Sequence, residues 1–324
     1  MESFLDRKDQ TDISSYREKL ILLKYSAVKN GLSPELMCKV IKESMDEQRG
    51  KKKENKLQRH LLVIICVCCI LLGVILQSDL FKSRCAVPNN YLVMEITRPL
   101  TDCKICRDVD RVIVFENVTK ATFAKYAYSG KPMLVRGATT NWTALNYFNF
   151  SFFKQLYENV DDAYQSVEEE CQFFPYKTDF LSLEAVFDMP EEQAYMTGPN
   201  AKTWYIGWSN CNPEVASILR QHYSRPFFLP DDSESSAIDW IFMGYSGQGA
   251  SMHLDYVQRP SWQAQISGTK SWHLLPPPEC EAECKAIEIT VRKGDIILID
   301  TNQWYHETFI HPGEISITIG SEYD

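Results

Sequence analysis

The residues best suited to chemistry are a histidine and an aspartate two positions apart, His253 and Asp255, in the segment SMHLDY. On an extended strand, residues two apart project from the same face. With a second histidine from a distant strand, they would present two imidazoles and one carboxylate to one face of a metal ion. That ligand set leaves coordination positions open and is typical of non-haem Fe(II) sites that react with dioxygen.

Three histidines after this pair are candidates for the remaining ligand: His273, His306 and His311. His273 lies three residues after Lys270, so strand alternation places it on the opposite face from that lysine. His311 precedes a Pro-Gly turn. His306 follows GDIILIDTNQWY, in which a Gly-Asp turn leads into an apolar strand and a short loop. We therefore predict that His306 completes the metal site.

The elements that must position these residues are mainly short strands. Strand-like segments beyond residue 235 are AIDWIFMGY, SWQAQISG, KSWHLLPP, AIEITVRKG, DIILID and EISITIGS. RVIVFENV and KPMLVRGA precede them, together with the helical pattern NFSFFKQLYENV. Many short strands at this spacing indicate a sandwich or barrel, here a mainly β domain with flanking helices.

Four segments, SMHLDY, ISGTKSWHLLPP, GDIILIDTNQWYH and ISITIG, resemble the JmjC (cupin-like) family of 2-oxoglutarate-dependent oxygenases, and its small hydroxylase branch in particular. The resemblance covers roughly residues 110–324. It implies a double-stranded β-helix, of the jelly-roll or cupin-like type. It also implies that His253, Asp255 and His306 bind iron and form the catalytic triad.

The resemblance further implies which residues bind the cosubstrate. Lys270 occupies the place of the lysine that binds the distal carboxylate of 2-oxoglutarate, and a dianion needs such a cation. Thr318 matches an assisting hydroxyl, and Gln263 falls near a position that often holds a polar amide. One position departs from the pattern, because Ala250 stands where many relatives have a threonine.

The function implied is oxygenation, most simply hydroxylation of a side chain in a protein or peptide substrate. Fe(II) would be bound at the site, and 2-oxoglutarate and dioxygen would be consumed. The 2-oxoglutarate would be decarboxylated to succinate. The competing class is a non-catalytic cupin-like binding module, which Ala250 would suit. A net charge of -9 and a pI near 5.3 argue against a nucleic-acid partner.

Residues 61–77 are predicted to form a transmembrane signal-anchor helix, because sixteen consecutive apolar residues begin at position 61. Basic residues concentrate just before this segment, so the positive-inside rule places residues 1–60 in the cytosol. Residues 78–108 would form a stem, and residues 109–324 an oxygenase domain in the lumen of the endoplasmic reticulum or Golgi. The alternative is a reversed topology with a cytosolic catalytic domain.

Glycosylation sequons and cysteines favour the lumenal placement. The sequons begin at Asn117, Asn141 and Asn149, all after the predicted anchor. Seven cysteines also follow it, and in an oxidising compartment most of these would form structural disulfides. A zinc site is the alternative for Cys103-x2-Cys106 joined with Cys280-x3-Cys284.

Overall fold

The computed structural model describes residues 5–47, 60, 63–67, 69 and 91–324. The chain divides into two compact units, Met1–Arg98 and Pro99–Asp324. The described helices of the first unit are Leu5–Lys29 (α1), residues 34–47 (α2), residues 63–67, and Tyr91–Thr97 (α3). Gly31 adopts a φ of +82° between α1 and α2, a conformation that glycine tolerates at a helix end.

The predicted anchor, residues 61–77, lies largely outside the described residues, and so does most of the predicted stem. Residues 63–67 and 69 of the anchor are described, and they are helical. Within the described parts of the chain, we find no helix with both the length and the apolar character needed to cross a bilayer.

The second unit is mainly β, as predicted. Its strands are Ile113–Phe115 (β1), Met133–Val135 (β2), Phe173–Phe174 (β3), Trp204–Asn210 (β4), Asp239–Tyr245 (β5), Gly247–Gln248 (β6), Ser261–Ser267 (β7), Thr269–Leu275 (β8), Ile287–Arg292 (β9), Ile296–Ile299 (β10), Tyr305–Ile310 (β11) and Ser316–Glu322 (β12). A large sheet has the order β1-β2-β10-β7-β12-β5-β4-β3, and a small sheet has the order β6-β11-β8-β9. All pairings are antiparallel except β1 with β2.

Short helices flank the large sheet. They are Lys120–Phe123 (α4), Ala144–Tyr147 (α5), Phe150–Asn159 (α6), Ala163–Glu169 (α7), Leu183–Phe187 (α8), Glu191–Ala194 (α9) and Pro213–Leu219 (α10). The Asn149 side chain accepts a hydrogen bond from the Phe152 N–H and so caps α6. Phe153 of α6 packs edge-on against Trp208 of β4, with ring centroids 5.8 Å apart. Helix α6 therefore packs on the outer face of the large sheet, where Trp208 is buried.

The inner face of the large sheet packs towards the small sheet. A buried apolar cluster joins the two at one end and includes Trp272 and Leu274 of β8 with Ile297 and Ile299 of β10. Alternation along β4 turns Tyr205 to the inner face, where its hydroxyl meets a lysine of β8, Lys270. Polar and aromatic side chains therefore occupy the rest of the space between the sheets, where the candidate site lies.

Disulfides pair six of the cysteines of this unit. Cys103 bonds to Cys280, Cys106 to Cys284, and Cys171 to Cys211. The four cysteines of the zinc alternative are thus consumed in two disulfides, as the structural interpretation predicted. The seventh cysteine after the predicted anchor, Cys85, lies outside the described residues.

Candidate active site

The three predicted metal ligands meet at one point between the sheets. The Asp255 carboxylate lies 3.4 Å from His253 Nε2 through Oδ1 and 3.8 Å from His306 Nε2 through Oδ2. One ligand atom from each residue can be chosen so that all lie within 4.8 Å of one another. Among the described residues, His253, Asp255 and His306 form the group of histidine, cysteine or acidic side chains that lie close enough together to hold a metal ion.

Backbone pairing fixes the two histidines. The His253 N–H donates to the His306 carbonyl at 3.1 Å, and the His306 N–H donates back at 2.9 Å. This is an isolated bridge rather than part of a strand, so the prediction that the H-x-D pair lies on a regular strand is wrong. Asp255 is held instead by its own N–H, which donates to the Thr301 carbonyl at 2.9 Å. The loop that carries His253 and Asp255 thus brings both side chains to the same centre through individual backbone hydrogen bonds, without forming a strand.

Both imidazoles are oriented by hydrogen bonds from Nδ1. His253 Nδ1 donates to the Ser251 carbonyl at 2.6 Å, and His306 Nδ1 donates to the Trp304 carbonyl at 3.1 Å. A carbonyl accepts only, so each ring carries its proton on Nδ1 and turns the lone pair of Nε2 to the shared centre. Such outer contacts are what orient histidine ligands in metal sites.

The charges around this centre also suit a cation. Burial opposes ionisation of Asp255, but the hydrogen bond to His253 and the electrostatic influence of the two nearby histidines outweigh it, so the pKa of Asp255 lies below its usual value. Burial lowers the pKa of His306 to about 4, which keeps this imidazole neutral and able to bind metal. Burial opposes protonation of His253, but the hydrogen bond to Asp255 outweighs it and raises the pKa of His253. The Nε2 atoms of two imidazoles and one carboxylate are a ligand set that fits Fe(II) and leaves positions free for other ligands.

The two rejected histidines point elsewhere. His273 Nδ1 contacts Glu307 Oε1 at 3.0 Å, and His311 Nε2 contacts the Ser271 hydroxyl at 2.9 Å. Strand alternation places these contacts on the face of the small sheet opposite to His306. The alternation of side chains along β8 and β11 thus explains why His306, and neither His273 nor His311, lies beside His253 and Asp255.

Lys270 is fully buried between the sheets. Its Nζ donates to the Tyr205 hydroxyl at 3.2 Å and lies 5.5–5.7 Å from the ring centroids of Tyr205, Phe242 and Trp272. No described carboxylate forms an ion pair with it. Burial accordingly lowers the pKa of Lys270 to about 7. A ligand carboxylate would supply the missing partner.

Thr318 lies on the inner face of β12, and its hydroxyl donates to Gln265 Oε1 at 3.2 Å. Gln263, the amide predicted from the sequence, lies two residues from Gln265 on β7 and is paired with Gly320. Gln265 therefore holds the amide next to Thr318, with its own Nε2 bonded to Ser316. Counting residues could not separate the two glutamines, because both face the same side of β7.

Tyr205 and Thr308 are site residues that the sequence analysis missed. The Thr308 hydroxyl accepts a hydrogen bond from the Ala250 N–H at 3.0 Å, and it also lies in hydrogen-bonding contact with Tyr205. Thr308 follows His306 by two residues, so it shares its face. A threonine hydroxyl from β11 thus lies beside the Ala250 backbone, although Ala250 itself carries no hydroxyl.

The predicted glycosylation sites lie on the surface. Asn117, Asn141 and Asn149 are all exposed. The Asn149 side chain is engaged as the cap of α6 and also donates to the Tyr147 carbonyl at 3.3 Å.

Known proteins resemble this chain in sequence. Residues 119–282, half of the chain, match the cupin-like domain family. The arginine-specific demethylase JMJ22 of Arabidopsis thaliana is 24% identical over 160 residues, covering 47% of this chain and 28% of that protein. The bifunctional arginine demethylase and lysyl-hydroxylase psr-1 of Caenorhabditis elegans is 24% identical over 159 residues, covering 45% and 36%.

A third relative is the 2-oxoglutarate and iron-dependent oxygenase JMJD4 of Danio rerio, 25% identical over 115 residues, covering 27% of each chain. The chain thus spans only about a third or less of these relatives. The matched family region contains His253, Asp255 and Lys270, and His306 follows it. On the match over half of its length, this chain belongs to the cupin-like domain family.

Proposed function

We propose that the protein is an Fe(II)- and 2-oxoglutarate-dependent oxygenase that hydroxylates a side chain of a protein substrate, on a double-stranded β-helix. The observation that carries this proposal is the convergence of His253 Nε2, His306 Nε2 and the Asp255 carboxylate, with both Nδ1 atoms bonded to carbonyls. The names of the relatives support it, since they include a 2-oxoglutarate and iron-dependent oxygenase and a lysyl-hydroxylase.

Lys270 is the residue that we assign to the cosubstrate. A dicarboxylate chelating the metal through its keto-acid end would carry its second charge away from the metal, where a cation is required. Lys270 is a buried cation without a protein carboxylate among the described residues, and the Tyr205 hydroxyl fixes its Nζ. The pairing would offset the cost of keeping this ammonium buried.

The bound groups and the side chains of the protein have different roles at this site. When bound, the iron and 2-oxoglutarate supply the oxidation of a substrate C–H bond by dioxygen, with succinate as the coproduct. His253, Asp255 and His306 would hold the metal ion and, as three ligands, would leave coordination positions free for other groups. Trp272 stacks on His306, with ring centroids 5.6 Å apart and planes 29° apart, and so fixes that ring and excludes water from its far side.

We also propose that residues 61–77 anchor the protein in a membrane of the endoplasmic reticulum or Golgi, with the oxygenase domain in the lumen. Three disulfides in the second unit and three exposed sequon asparagines support this placement. Endoglycosidase treatment of the expressed protein should increase its electrophoretic mobility. An unglycosylated product with free thiols at Cys103 and Cys106 would contradict the proposal and favour the reversed topology.

Release of succinate from 2-oxoglutarate tests the proposed function. Purified protein with Fe(II) should release succinate, and His253→Ala should abolish the release. His273→Ala is the matched control, because that histidine lies on the opposite face of the small sheet and should leave the release unchanged. A wild-type protein that binds metal but releases no succinate would favour the non-catalytic binding module instead.

A further inference from the structure

Three aromatic rings form a row on the inner face of the large sheet, which we term the aromatic wall: Phe242, Trp240 and Phe174. The Phe242 ring centroid is 5.5 Å from Lys270 Nζ. Trp240 follows at 6.1 Å and Phe174 at a further 5.8 Å, and each neighbouring pair of ring planes is within 13° of parallel. Phe174 is 42% exposed, and the other two rings are half-buried. The wall therefore runs from the proposed cosubstrate pocket to the protein surface.

The strand between these rings carries only small residues at the two positions next to them. Phe174 is on β3 and the other two rings are on β5, so β4 lies between them. A Cβ on Gly207 of β4 would come within 2.7 Å of Phe242 Cδ1 and 3.3 Å of the Tyr176 hydroxyl. Ser209 is the next inward residue, and its hydroxyl is turned to the backbone N–H of Gln172. Small residues at these positions leave room for rings to lie over the strand.

Tyr176 joins the wall to Tyr205. It has a φ of +48°, a conformation that bulky residues rarely adopt and that is concentrated at functional sites. Its ring centroid lies 5.0 Å from that of Tyr205 and 6.2 Å from that of Phe174. The Tyr205 hydroxyl in turn accepts a hydrogen bond from Lys270 Nζ at 3.2 Å. The wall thus borders the proposed cosubstrate site at Lys270.

The charges around the wall restrict what can bind to it. Under the proposed function, Asp255 is committed to the metal and Lys270 to the cosubstrate. The wall itself and its neighbours Tyr176, Gly207 and Ser209 are uncharged. A basic side chain placed here would meet ring faces but no carboxylate, and at the Phe242 end it would be repelled by Lys270, whose Nζ already lies over that ring. An apolar side chain would instead bury aromatic surface.

We propose that the aromatic wall binds an uncharged apolar or aromatic side chain of the protein substrate, next to the proposed cosubstrate site at Lys270. The inference rests on the proposed function and names the class of side chain recognised at the same site. It separates this protein from relatives whose names specify arginine or lysine.

Direct binding of short peptides tests the inference. The probes are blocked pentapeptides with glycine at every position except the centre, which is phenylalanine, leucine or arginine. Binding to the full chain with Mn(II) and 2-oxoglutarate is measured by saturation-transfer NMR titration. The phenylalanine and leucine peptides should bind at least about tenfold more tightly than the arginine peptide. Trp240→Ala should remove most of this difference.

Two further variants keep the outcome decisive. Phe174→Ser changes a ring that is already 42% exposed, so the variant should fold normally and still weaken the binding of the apolar peptides severalfold. Phe309→Ala is the matched control, because this ring is 49% exposed on the other face of the small sheet. Equal binding of the arginine peptide, undetectable binding of the apolar peptides, or unchanged binding in both wall variants would overturn the inference. Succinate release by the same preparation reports separately on the proposed function.

Discussion

The buried charge of Lys270 should make the affinity for 2-oxoglutarate depend on pH in a direction that the structure specifies. Burial lowers the pKa of this ammonium from 10.5 to about 7, so the free protein loses the charge as the pH rises through neutrality. Only the ammonium can pair with the distal carboxylate. Binding above this pKa must therefore take up a proton, and the affinity must fall.

The magnitude follows from the same pKa. Each pH unit above the pKa reduces the charged fraction tenfold, so we expect 2-oxoglutarate to bind about tenfold more weakly at about pH 8 than at about pH 6. Mn(II) can replace Fe(II) in calorimetric titrations so that no turnover occurs. Titrations in buffers of different ionisation enthalpy should show uptake of nearly one proton at the higher pH.

2-Oxobutyrate is the matched control ligand, because it has the same keto-acid end but no distal carboxylate. Its affinity should carry the pH dependence of the metal ligands alone and lack the contribution of Lys270. An identical pH dependence for both ligands would refute the assignment of Lys270 to the distal carboxylate.

Removing this charge should also stabilise the free protein. The pKa of Lys270 in the folded state is below its unfolded value, so the unfolded chain binds more protons between about pH 7 and pH 10.5 and stability rises with pH across that window. The full difference corresponds to roughly 5 kcal/mol. Lys270→Met should therefore raise the free energy of unfolding at pH 7 by at least about 1 kcal/mol, while abolishing cosubstrate binding. Urea unfolding measures the first effect, and a destabilised variant would contradict the reasoning.

Three other changes should have defined effects. Gly207→Val forces a side chain against Phe242 and should lower the free energy of unfolding by about 1–3 kcal/mol in urea titrations, whereas an unchanged midpoint would refute the close contact. Thr308→Val leaves the buried Ala250 N–H without an acceptor and should cost about 1–3 kcal/mol by the same assay; full stability would show that another group satisfies it. Cys106→Ser opens a disulfide that spans 178 residues and should cost about 2–5 kcal/mol, and no loss would argue against this disulfide in solution.

The sequence predicted which residues meet at the candidate site better than it predicted the fine geometry of that site. His306 could be chosen over His273 and His311 because strand alternation and the preceding turn distinguish them, and the structure turns His273 and His311 to the other face. The spacing of His253 and Asp255 predicts a strand, but the structure has a loop there. Individual backbone hydrogen bonds hold this loop and place both side chains at the same centre.

Other features depend on contacts between distant segments and leave little trace in the sequence. Tyr205 precedes Lys270 by 65 residues and meets it only because the two sheets face each other. Gln265 rather than Gln263 bonds to Thr318, because the register of β7 against β12 places Gln265 opposite Thr318 and Gln263 opposite Gly320. Disulfide partners likewise follow from the fold, and six cysteines alone permit about 15 connectivities.

The most direct test of the central claim is the fate of oxygen-18 in succinate. The protein is incubated with Fe(II), 2-oxoglutarate and labelled dioxygen, and the succinate is examined by mass spectrometry. We expect succinate that carries one labelled oxygen from the wild-type protein and none from His306→Ala. The absence of labelled succinate from an iron-loaded wild-type protein, or its persistence in His306→Ala, would contradict the claim that His253, Asp255 and His306 form an oxygenase site.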